Sequence, residues 1–253
     1  MIDTHCHLYL EEFKADIYDV IIRAGQEGVT RFYLPSIDSK VIPDMLKLEK
    51  EFPGLCYLMM GLHPCSVGEN YLEELRTVET WLMEKKFFAV GEIGLDFFWS
   101  KTFEKQQHDA FHQQIKWAKH FELPIVIHSR NSTRECIDIV KEHQDGRLKG
   151  IFHCFSGNYE LAMEIIGAGF YLGIGGVITF KNAGLAEVLK DVPLEHMVLE
   201  TDSPYLAPVP FRGKRNESSY LKYVVEKLAI VKGASKEEVE ATTTANAEKI
   251  FGS

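Results

Sequence analysis

The chain has 253 residues, 45% of them hydrophobic and 26% charged, with five cysteines and a formal net charge of −9. That length and composition suit a globular domain that buries its own core without disulfides or a structural metal, and they exclude a disordered or fibrous chain. The acidic balance excludes a protein that holds nucleic acid by broad attraction to the phosphate backbone, so a polyanionic substrate has to be met by positive charge concentrated at one place.

Short runs rich in Val, Ile, Phe and Tyr recur along the chain with amphipathic helical patterns between them, the signature of repeated βα units. They predict strands at residues 2–7, 31–35, 55–62, 87–91, 125–128, 150–153, 170–174 and 197–200. Several are apolar at consecutive positions, as in Pro124-Ile125-Val126-Ile127, which fits parallel strands buried on both faces. The series predicts a single-domain (β/α)8 TIM barrel over residues 1–253. Ile17, Val20, Ile21 and Ala24 share the spacing i, i+3, i+4, i+7, as do Leu221, Val224, Val225 and Leu228, so each set predicts a helix whose apolar stripe faces the barrel. Residues 202–219, with three prolines and Gly213, form the longest irregular stretch and read as an ordered loop after the eighth strand. Ser235-Lys236-Glu237-Glu238 reads as a capping box opening the last helix, whose apolar side includes Val239 and Ile250.

No run approaches the ~18 apolar residues that span a bilayer, and the start of the chain lacks the charged and apolar pattern of a secretory leader. The expectation is a cytoplasmic protein with no membrane segment and no obligate protein partner. Cys6, Cys56, Cys65, Cys136 and Cys154 are odd in number and contain no C-x-x-C pair, so reduced packing roles are expected.

Candidate chemistry collects at the strand ends. In Ile2-Asp3-Thr4-His5-Cys6-His7, residues two apart on a strand point to one side, so His5 and His7 can bind one cation from the same face. Glu92 follows Phe88-Ala89-Val90-Gly91, His128 follows Ile125-Val126-Ile127, His153 follows Ile151-Phe152, and Asp202 follows Val198-Leu199-Glu200-Thr201. The C-terminal ends of barrel strands converge at one mouth, which brings these residues together. The set suggests two divalent cations, one on His5, His7 and Asp202, the other on His128 and His153, with Glu92 bridging them. Such a pair acidifies a water and polarises a phosphoryl or carbonyl oxygen. Glu92 and Asp202 are the catalytic candidates, Asp202 as general base.

His63, in Gly61-Leu62-His63-Pro64, shares the mouth and either contacts a substrate phosphate, the preferred role, or orders its own loop. Arg130 either holds a phosphate oxygen or pairs with a carboxylate. Ser156-Gly157 offers a hydroxyl and open amides at a predicted helix start. Arg212-Gly213-Lys214-Arg215 is the one concentrated basic segment, and Arg212 and Arg215 join His63, Arg130 and Ser156 as candidate substrate contacts.

Six ordered motifs carry a family resemblance: Asp3-Thr4-His5-Cys6-His7-Leu8, Gly61-Leu62-His63-Pro64, Gly91-Glu92-Ile93-Gly94-Leu95-Asp96, His128-Ser129-Arg130, His153-Cys154-Phe155-Ser156-Gly157 and Glu200-Thr201-Asp202-Ser203-Pro204-Tyr205-Leu206-Ala207-Pro208. Together with the closing Asn246-Ala247-Glu248-Lys249-Ile250-Phe251, the sequence resembles TatD-family metal-dependent deoxyribonucleases. The resemblance implies an amidohydrolase-like TIM barrel that cleaves DNA with divalent ions, often as a 3′→5′ exonuclease acting on single-stranded ends, and a role in DNA degradation or repair. It also implies the ligand roles given above and a substrate role for His63. One departure stands out: the family's loop commonly reads R-G-x-x-N-x-P, whereas Ser218 occupies the last place here, which is expected to loosen the loop. Four imidazoles favour Zn²⁺ or Ni²⁺ as the ions retained, with Mg²⁺ or Mn²⁺ activating in excess. The same metal site would also suit an amide or ester hydrolase such as an aminoacyl-tRNA deacylase, and the barrel alone would suit a non-catalytic nucleic-acid-binding module.

Overall fold

Alternation along parallel strands fixes which side chains fill the centre of the molecule. The computed structural model describes residues 1–252, in which β1 (Ile2–Asp3), β2 (Arg31–Pro35), β3 (Cys56–Met59), β4 (Val90–Asp96), β5 (Ile125–Arg130), β6 (Gly150–Phe152), β7 (Phe170–Ile174) and β8 (Met197–Leu199) alternate with helices. These helices are α1 (Ile17–Gln26), α2 (Ile42–Glu51), α3 (Tyr71–Glu84), α4 (Glu104–His120), α5 (Thr133–His143), α6 (Tyr159–Gly167), α7 (Leu185–Lys190) and α8 (Leu221–Lys232), followed by α9 (Lys236–Phe251).

The strands pair in parallel, in the orders β1-β2-β3 and β4-β5-β6-β7-β8. Single bridge pairs, Met60 with Val90 and Cys6 with Ser203, occupy the two seams. Backbone hydrogen bonds cross both: Gly91 N donates to Met60 O at 3.0 Å and Asp202 N to His5 O at 2.9 Å. The result is the expected (β/α)8 TIM architecture.

Ile2, Tyr33, Met59, Ala89, Val126, Ile151, Tyr171 and Val198 form the inner core, and Ala247, Ile250 and Phe251 of α9 pack against its lower end. The predicted stripes of α1 and α8 face the larger cluster between barrel and helices. Ser235 Oγ accepts from Glu238 N at 3.1 Å, so the α9 cap forms as read.

Several strand limits differ from expectation, most of all in β1, β3 and β4. β1 ends at Asp3 and β3 at Met59, because the chain then leaves its ladders for the seams. β4 runs on to Asp96 because it stays paired with β5 as far as Asp96–Arg130. Glu92 therefore lies inside a strand, at a register shift between Gly91 and Ile93 that leaves it as the extra residue of a bulge. Gly94 makes that pairing possible: its φ is 140°, and a Cβ there would meet His128 O at 2.1 Å. Among the described residues, no helix is long and apolar enough to cross a membrane.

Candidate active site

One layer above the inner core, the same alternation turns from apolar to ionisable. His128, His153 and Glu200 each stand two residues beyond an inward side chain, Val126, Ile151 and Val198, so they too face the barrel axis. The bulge in β4 adds Glu92, buried at 2% exposure. His5 and His7 arrive from the segment after β1, with their Nε2 atoms 3.3 Å apart.

The two oxygens of Glu92 face different groups. Oε2 lies 3.1 Å from His5 Nε2 and 3.7 Å from His7 Nε2. Oε1 lies 2.9 Å from His128 Nδ1, 3.0 Å from His153 Nε2 and 3.4 Å from His63 Nε2. Asp202 Oδ1 completes the first group at 3.4 Å from His7 Nε2 and 3.8 Å from His5 Nε2. All six residues proposed as ligands from the sequence thus meet at one place.

Five imidazoles crowd one buried carboxylate, and divalent cations suit this N/O donor set. Burial raises the Glu92 carboxyl, yet the neighbouring His153, His63 and His5 hold it well below the usual carboxylate range. Burial likewise opposes the His128 cation, but acceptance by Asp96 and Glu92 raises that imidazole above its ordinary value. His5 moves the other way, lowered by burial and then by His153.

A family model described as TatD related DNase matches residues 2–252. The chain belongs to the TatD-related DNase family. It is 40% identical to the uncharacterized metal-dependent hydrolase YabD of Bacillus subtilis (strain 168), over 99% of this chain and 98% of the relative. It is 29% identical to the 3′-5′ ssDNA/RNA exonuclease TatD of Erwinia tasmaniensis, over 99% of both chains. The crystal structure of YJJV, a TatD homolog from Escherichia coli K12, matches with a TM-score of 0.90 at 29% identity, covering 100% of this chain and 98% of that one. This TatD-family chain is accordingly a metal-dependent hydrolase.

The groups that orient the ligand candidates were not singled out in the sequence. Asp96 Oδ2 lies 2.8 Å from His128 Nε2 and Tyr9 Oη 2.7 Å from His7 Nδ1, whereas Glu200 Oε1, which accepts from Cys154 N at 2.6 Å, stands 3.4 Å from His153 Nδ1 without a hydrogen bond. Glu200 had a readable signal, the same two-residue step beyond an inward strand position as His128 and His153. Tyr9 and Asp96 had none beyond their nearness to a motif.

Asp202 and Cys154 adopt left-handed backbone, with φ of 55° and 49°. For non-glycine residues this costs on the order of 1–2 kcal/mol each, and such outliers gather where a site dictates the backbone.

The expected substrate contacts fare unequally. His63 orders its own loop, its Nδ1 accepting from Cys65 N at 3.0 Å, while its Nε2 faces the cluster 3.2 Å from His128 Nδ1. Arg130 pairs with no carboxylate among the described residues and lays its guanidinium 3.9 Å from the centre of the Phe98 ring. Ser156 lines the cavity above the cluster, although the helix starts later, at Tyr159, with Asn158 Oδ1 accepting from Leu161 N. Arg212 lines that cavity too, stacked 4.0 Å from the Phe180 ring.

Arg215 does not reach the cavity. Its guanidinium is taken by both oxygens of Asp16 at 2.7 Å and by Glu12 O at 2.6 Å, on the α1 side of the loop. Nor does Ser218 loosen that loop. It is buried and donates to Asp3 Oδ2 at 2.6 Å, while Asn216 Nδ2 donates to Thr201 O and Tyr205 O at 2.8 and 2.7 Å. A side-chain hydrogen bond fastens the loop where a proline would have stiffened it.

Proposed function

We propose that this chain hydrolyses DNA phosphodiester bonds from single-stranded 3′ ends. It would use two divalent ions, one held by His5, His7 and Asp202, the other by His128 and His153, with Glu92 between them. The observation that carries this reading is the division of the Glu92 oxygens between two groups of imidazoles. When bound, such ions supply Lewis acidity at a phosphoryl oxygen and bring the pKa of an attacking water down toward neutrality.

The remaining chemistry belongs to the chain. Burial works against the Asp202 carboxylate, but the hydrogen bond from His7 and the charges of His153 and His5 keep its pKa lowered, so it is ionised at neutral pH. Lining the same cavity as the reacting groups, it can receive the water's proton and return one to the leaving oxygen. Arg130, Arg212 and Lys214 line that cavity of about 960 Å³ and supply the local positive charge an acidic chain needs to accept a polyanion. Beside the carboxylates of the cluster, these three cations favour phosphodiesters over small neutral amides. The name of the Erwinia tasmaniensis relative supports the polarity and the single-stranded substrate.

Digestion of single-stranded DNA labelled at the 5′ or the 3′ end, with Mg²⁺ and with Mn²⁺, tests the proposal. A ladder of shortening products from the 5′-labelled strand and early release of the 3′ label are expected. Intact DNA under both metals would refute it.

Asp96 should tune metal binding without touching the ions. Because its carboxylate orients the His128 ring, Asp96→Ala is expected to weaken Mn²⁺ binding about 10- to 100-fold. Calorimetric titration of the metal-free protein measures this, and an unaltered Kd would show that the ring needs no such support.

A further inference from the structure

We infer that Trp99, propped edge to face on Phe98 and flanked by Arg130, forms a stacking platform for one unpaired nucleobase beside the reacting phosphate; the inference rests on the nuclease reading above. Phe98 and Trp99 follow β4 in the loop that leads to α4, and they are 50% and 69% exposed. A large aromatic pair so open to water contributes little to the core. The other two tryptophans differ: Trp117 is buried, its Nε1 donating to Glu79 Oε1 at 3.0 Å, and Trp81 packs partly buried against the core.

The pair is held in place. Asp96 Oδ1 accepts from Phe98 N at 2.9 Å and from Trp99 N at 3.1 Å, while Oδ2 of the same carboxylate meets His128 Nε2 at 2.8 Å. One side chain therefore fixes both the loop and an imidazole of the Glu92 cluster. The two rings meet edge to face, with centroids 5.0 Å apart. The Arg130 guanidinium lies 3.9 Å from the Phe98 centroid and 5.4 Å from that of Trp99. Trp99 and Arg130 line the same cavity as Glu92 and His128.

An aromatic face beside a guanidinium accepts any base, because every base has a π-face and the cation serves the phosphate next to it. A base within a duplex already has both faces covered by its neighbours. The platform consequently selects unpaired ends by stacking and leaves sequence unread.

The test compares holoenzyme kcat/KM on oligodeoxyadenylate with that on an oligomer of the same length built from abasic tetrahydrofuran units, for wild type, Trp99→Leu and Trp99→Phe. Wild type is expected to prefer the base-bearing oligomer about tenfold, with Trp99→Leu bringing the two within about twofold and Trp99→Phe restoring most of the preference. The same preference in wild type and Trp99→Leu would overturn the platform and leave the nuclease reading intact. Failure of wild type to hydrolyse either oligomer would overturn both.

Discussion

Glu92→Ala is expected to lower turnover on single-stranded DNA by about 10³-fold or more, equivalent to about 4 kcal/mol of lost transition-state stabilisation. Its two oxygens divide between the groups of imidazoles: Oε2 faces His5 and Oε1 faces His128 and His153. Truncating it leaves each group without the shared anion, and the neighbouring imidazoles carry no oxygen that could replace it. The fold should survive, since the inner apolar layer and α9 pack below the cluster and do not involve Glu92. Steady-state kinetics with a thermal melt on the same preparation check both halves. Near-normal turnover would remove Glu92 from the mechanism.

Asp202→Asn should cost about 10²- to 10³-fold in kcat, the usual worth of a positioned acid–base group, with KM little changed. The amide keeps the size and one oxygen of the carboxylate but cannot take up the proton. Asparagine also tolerates the left-handed backbone that Asp202 adopts at φ 55°, so the loop has no reason to rearrange. Loss of kcat and kcat/KM together marks an interaction made in the transition state. A rise in KM with kcat preserved would instead assign Asp202 to substrate binding.

What the sequence could reveal of this site follows from strand geometry. His128 and His153 were legible because each follows a short apolar run, and the two-residue period carries them inward above Val126 and Ile151. Glu92 was found by its neighbours, but its true place was not, because a bulge breaks the period: strict alternation from Ala89 would aim Gly91 inward instead. The motif around His63 left two roles open, and only the fold shows that its Nδ1 caps the following turn while its Nε2 stands 3.4 Å from Glu92 Oε1. Arg215 shows a further limit. Charge adjacency in Arg212-Gly213-Lys214-Arg215 does not determine direction, and Asp16, 199 residues away in the chain, takes its guanidinium. The same holds for Ser218, whose partner Asp3 lies in β1 at the opposite end of the sequence.

The central claim is that Glu92 joins two ions, and electron paramagnetic resonance of the metal-free protein titrated with Mn²⁺ tests it most directly. Two equivalents per chain should give an exchange-coupled spectrum in wild type, replaced in Glu92→Ala by the hyperfine pattern of isolated ions. Saturation of wild type at one uncoupled Mn²⁺ per chain would contradict the account.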